Sequence, residues 1–142
     1  MISTLQQLRE TTKDGENGFQ AAAEDCTDAN LKQLFLNLSR ERGKFAPELT
    51  GLLGKAGSSG KESGSLAGWA HRGWTNLKPA LATREDAAVL EECERGEDSA
   101  VKQYQEALET NHLGASLAIV ETQYDHIVRA QNLLKDLRKN RH

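Results

Sequence analysis

The stretch LEECERGEDSAVKQYQEAL (Leu90–Leu108) is a helix by its spacing and an anomaly by its chemistry. With Ala87, it sets Leu90, Glu94, Glu97, Val101, Tyr104 and Leu108 three or four residues apart, hence on one helix face. Two members of that inward face are acids. An earlier helix repeats the pattern in Leu34, Leu38, Glu41, Phe45, Glu48 and Leu52. An ionised carboxylate in a core costs several kcal/mol unless something pairs with it. Glu41, Glu94 and Glu97 therefore call for a cation, a shared proton or water beside them.

Working outward, the chain divides into four long amphipathic segments. Ser3 with Gln6 is a capping-box signal, and Leu5, Leu8, Thr12, Gly15, Phe19, Ala22 and Cys26 repeat with helical spacing behind it. Asp28 is placed to cap a second helix reaching about residue 56. Pro47 lies inside it, four residues after Gly43, so a bend is expected there rather than a stop. GSSGKESGS (Gly57–Ser65) is a link rich in Gly and Ser. Leu66, Trp69, Ala70, Trp74 and Leu77 then mark a short helix expected to end before Pro79. Thr83 with Asp86 opens the third long helix, and Asn111–Gly114 turns the chain. Leu117, Val120, Tyr124, Ile127, Leu134 and Leu137 carry the fourth.

Helices of about 25 residues are roughly 35–40 Å long at ~1.5 Å per residue. Short turns join the first pair and the last pair, so each pair is antiparallel. The 57–82 connection is long enough to run the full length, which leaves the second and third long helices parallel. The expected fold is an all-α four-helix bundle in one domain, 1–142, with a long crossover that contains a short helix.

Composition agrees and excludes much else. The 142 residues are 27% charged and 5% aromatic, with two prolines and a net charge of −3. No basic footprint for nucleic acid stands out, and the Lys135–Arg141 end suits the last turns of a helix. No apolar run is of membrane-spanning length, and Met1–Arg9 is too polar for a signal peptide, so a cytoplasmic protein is expected. Cys26 and Cys93 lack a CxxC spacing and read as small buried hydrophobes. No nucleophile–base pattern and no phosphate-cradling glycine loop is present. Trp69 and Trp74 on the crossover read either as two rings that both cover the side of the bundle or as one that covers it and one that reaches a partner. A homodimer or higher homo-oligomer is a further expectation.

Midpoints of four such helices lie at one height. That layer holds Glu16 on the first, Glu41 on the second, Glu94 and Glu97 on the third, and Gln123 and His126 on the fourth. Thr12, Gly15, Ser39 and Gly43 are small and leave room beside it. Two chemistries relieve the buried charge. One is a dinuclear iron or manganese centre, since carboxylates with imidazole suit hard divalent ions. The other is a metal-free network in which Arg42, Lys44, Tyr104, Tyr124 and Gln123 are the partners. Glu48 belongs on the rim, and Glu121 and Asp125 on the solvated face.

KDGENGF (Lys13–Phe19), LKQLF (Leu31–Phe35), RERGKFAPEL (Arg40–Leu49), HRGW (His71–Trp74) and the 90–108 stretch together resemble the DUF2383 family of four-helix-bundle proteins. The resemblance covers almost the whole chain and implies a ferritin-like fold. The wider superfamily implies iron handling, peroxide reduction or oxygen activation. Its metal pattern is Glu, Glu-x-x-His, Glu and Glu-x-x-His on successive helices. Glu16, Glu41 and Glu94 match its carboxylates, and Glu97 resembles an additional one seen in rubrerythrin-like members. Lys44 stands where the first histidine belongs, and Gln123-x-x-His126 replaces the last glutamate by an amide.

Overall fold

The computed structural model describes residues 2–58, 73–109 and 113–141. Among these residues there is no strand. The elements are α1 (Ile2–Asp25), α2 (Ala29–Lys55), α3 (Leu77–Ala82), α4 (Asp86–Glu109) and α5 (Leu117–Asn140), with a 3₁₀ turn, Gly114–Ser116, before α5. Asp28 caps α2, its carboxylate accepting from the amides of Asn30 at 2.8 Å and Leu31 at 3.2 Å. The helix runs through Pro47 to Lys55.

The crossover departs from expectation. Leu66, Trp69, Ala70 and His71 lie outside the described residues. Beyond them residues 73–76 are not helical, and a short helix, α3, begins at Leu77 and contains Pro79. Proline is tolerated in a first turn because the amide it lacks has no intrahelical acceptor there.

Contacts at one end fix the topology. The Asp86 carboxylate accepts from Thr27 N (2.9 Å), Thr27 Oγ1 (2.9 Å) and Asp28 N (2.8 Å), so α4 starts at the α1–α2 turn. Arg141, just after α5, donates to Asp28 at 3.2 Å. Helices α2 and α4 thus leave the same end and run parallel, while α1 and α5 arrive at it. Helix α1 packs along α2 and against α4, and α4 along α5; the α2–α5 seam is the loosest of the four.

Two hydrophobic clusters fill the interior. One surrounds Phe19, Phe35, Trp74, Leu90, Cys93 and Leu134. The other surrounds Leu5, Phe45, Leu49, Leu53, Val120 and Ile127. Trp74 reaches the first cluster through a slot floored by glycine: a Cβ on Gly18 would meet its ring at 2.6 Å, and one on Gly96 at 2.2 Å. Its ring meets Phe19 edge-on at 5.1 Å. Cys26 and Cys93 are free and buried, and burial pushes the Cys26 thiol up to about 11.

Candidate functional site

What separates the two clusters is a guanidinium. From Leu38 to Phe45 a helix face can step three then four, through Glu41, or four then three, through Arg42. The structure takes the second: Leu38, Arg42, Phe45 and Leu49 are buried, and Glu41 lies at the edge with 29% of its side chain exposed. Arg42 is 1% exposed and Glu97 0%. Arg42 Nη1 donates to Glu97 Oε1 at 2.6 Å, and Nη2 donates to Oε2, so both carboxylate oxygens are taken by one planar fork. The guanidinium carbon lies 5.4 Å from the Phe19 ring centre and 6.0 Å from that of Phe45, one ring in each cluster.

Gly15 faces this side chain: a Cβ there would be in ordinary van der Waals contact with Arg42 Cγ at 3.4 Å and Nη1 at 3.5 Å. Of the small residues expected beside the axis, Gly15 faces Arg42, whereas Gly43 faces Glu16 and Ser39 donates to the Glu16 carbonyl at 2.8 Å. Burial drives the Glu97 carboxyl above its ordinary range, and Arg42 draws it back in part. Burial works against the Arg42 charge, and Glu97 more than restores it.

The other candidates are drawn in different directions. Glu16 is half-buried, and its Oε2 lies where a Cβ on Gly43 would be, 2.6 Å away. Glu94 is buried against α5, where Arg138 Nε donates to it. Glu41 Oε1 is 3.8 Å from Arg42 Nη2, and its Oε2 is 3.4 Å from His126 Nδ1. His126 is 44% exposed. Gln123 is buried; its oxygen accepts from Tyr104 Oη at 2.7 Å, and its amide donates to Glu48 Oε1 at 2.9 Å and to the Phe45 carbonyl at 3.4 Å. Lys44 is exposed, and Tyr124 Oη accepts from Gln105 at 3.1 Å.

Among the described residues, Arg42, Glu97 and, at the edge, Glu41 meet at the centre, with the Gln123–Tyr104–Glu48 chain one turn further along. Among the described residues no group of three or more His, Cys, Asp or Glu side chains is arranged to hold a metal ion. As placed, the donors do not fit a dinuclear centre. An ion at Glu97 would have to displace a guanidinium from both oxygens, Glu94 is taken by Arg138, and the Glu16 carboxylate lies over Gly43.

A family model described as Domain of unknown function (DUF2383) matches residues 1–110. The chain belongs to the DUF2383 family. The matched span of DUF2383 contains Gly15, Arg42 and Glu97, whereas Gln123, His126 and Arg138 lie beyond it. No curated protein matches the chain.

Sequence reasoning missed the placement of Arg42, although it was among the possible partners. It also missed Arg138 and the buried Glu92, which accepts from the Asn76 amide at 2.8 Å and from Arg95 at 3.2 Å. The available signals were Gly15 on an inward face, and Arg95 three residues after Glu92.

Proposed function

We propose that this DUF2383 chain is one ferritin-like four-helix-bundle domain over 1–142, with 57–82 as its crossover, working as a metal-free structural or interaction module. The observation that carries this reading is the Arg42–Glu97 pair at mid-height. A centre for oxygen or peroxide chemistry needs carboxylates that converge and leave a coordination position open. Here the most buried carboxylate is committed to a protein cation, and Glu94 and the Gln123 amide are hydrogen-bonded elsewhere. The protein's own side chains occupy the site, which favours shape and surface over internal chemistry; Arg42 Nε and Glu41 Oε1 are the buried side-chain atoms there that have no hydrogen-bond partner among the described residues.

On this reading the protein needs no cofactor. It acts in the cytoplasm, away from membrane and nucleic acid, in a homodimer or higher homo-oligomer. Among the described residues no helix is long and apolar enough to cross a membrane. Among the described residues the exposed large hydrophobics are Ile2, Leu117 and Leu133.

Peroxide consumption and Fe(II) oxidation by protein preincubated with Fe(II) or Mn(II) test the reading. The expected rates equal those of the free ions. Turnover above that background, lost in Glu94→Ala, would overturn it.

A further inference from the structure

We infer that the mid-height position of this chain is a guanidinium site, in which Arg42 has taken the place of the divalent ions that the ferritin-like pattern implies. The inference rests on the metal-free reading above and adds what the site selects: a planar, forked monocation rather than a spherical dication.

Four features of the surroundings match that shape. Glu97 presents both oxygens to the two terminal nitrogens of the fork, the bidentate match that planar guanidinium makes and ammonium does not. Phe19 and Phe45 lie within 6.0 Å of the guanidinium carbon, and aromatic rings favour a weakly hydrated flat cation. Gly15 faces the Arg42 side chain, and a Cβ there would stand in ordinary contact with Cγ at 3.4 Å and Nη1 at 3.5 Å. A second carboxylate, Glu41, stands 3.8 Å away and adds negative potential without direct ligation.

Rings and a glycine offer a divalent ion no lone pairs. Of the six expected donors, Glu97 directs both oxygens to this point and Glu41 stands beside it with Oε1 3.8 Å from Arg42 Nη2. Loss of the Arg42 side chain would leave Glu97 buried beside a hollow of guanidinium shape, which a free guanidinium can refill.

The test is thermal unfolding of wild type, Arg42→Ala and Arg42→Lys, each with methylguanidinium, Mn(II) or chelator at low millimolar concentration. Wild type is expected to keep its melting midpoint in all three. Arg42→Ala is expected to melt lower and to recover with methylguanidinium but not with Mn(II). Arg42→Lys, which keeps the charge but not the fork, is expected to melt between the two. The recovery should vanish in Arg42→Ala/Glu97→Gln.

If Arg42→Ala does not fold alone, folding on addition of methylguanidinium supports the inference equally. Failure of methylguanidinium to raise the midpoint or restore folding would overturn it. So would a larger recovery with Mn(II), or a wild-type midpoint that falls with chelator. Peroxide turnover by a chain that nonetheless shows the guanidinium recovery would remove the proposed function and leave this site standing.

Discussion

Arg42 sets the energetics at the scale of single side chains. Taking a guanidinium and a carboxylate out of water costs several kcal/mol each, and the mutual pairing returns that only while both partners are present. Arg42→Ala is therefore expected to destabilise the fold by about 3–5 kcal/mol, because Glu97 stays behind as an uncompensated buried acid. Urea unfolding gives the value directly, and a loss under about 1 kcal/mol, the range of surface pairs, would contradict the buried assignment. Glu41 is a different case. Its edge position beside Lys44 and His126 makes it a modulator of the pair rather than a member. The sequence did signal a buried acid with a compensating charge, and Glu97 with Arg42 is that. It did not say which of two adjacent residues faced inward, because both Glu41 and Arg42 satisfy the spacing between Leu38 and Phe45. A charged residue scores as polar whether or not it is paired.

Helices and their junctions carry two further expectations. Trp74 is 3% exposed and lies over Gly18 of α1 and Gly96 of α4, joining the end of the crossover to two helices. Gly96→Ala puts a methyl into the indole, so it is expected to cost about 1–3 kcal/mol, the overpacking range. In a solvent-facing helical position the same change would stabilise. A gain in melting temperature for Gly96→Ala would refute the slot.

The shared end of α1, α2 and α4 is held by Asp86. Burial works to raise its carboxyl, but the hydrogen bonds from Thr27 and Asp28 outweigh it and hold it below the ordinary 3.8. A depressed value means that the unfolded chain takes up the proton first as pH falls. The stability that Asp86 contributes is thus present above about pH 4 and is lost as pH drops through the lower folded value. Asp86→Asn is expected to be less stable than wild type at pH 7 and to show a shallower loss below pH 4, as acid titration of the unfolding midpoint would reveal. Equal slopes for the two proteins would contradict that role. Helix existence and order were legible from periodicity, and the start of α2 from its Asp28 cap, whereas Ser3 falls inside α1. The start of α3 was not legible, because Pro79 reads as a terminator from sequence and sits instead in a permissive first turn.

At the scale of the molecule, two apolar clusters are stacked end to end with one polar layer between them. The parallel course of α2 and α4 follows from a crossover long enough to return the chain, and it brings Arg42 and Glu97 to one height. That course was readable from loop lengths. Convergence of six donors was not, since equal height along an axis does not fix rotation about it. Rotation sends Glu94 to Arg138 and Glu16 to Gly43.

The central claim is that a mutually dependent ion pair, complete within the protein, occupies this layer. A double-mutant cycle of Arg42→Met, Glu97→Gln and the double variant, read by urea unfolding, tests it most directly. Each single change should be strongly destabilising and the double change no worse than either, so the coupling energy should be at least as large as the greater single loss, about 3 kcal/mol or more. Additive losses, with coupling under about 0.5 kcal/mol, would mean that the two side chains do not depend on each other and would contradict the account.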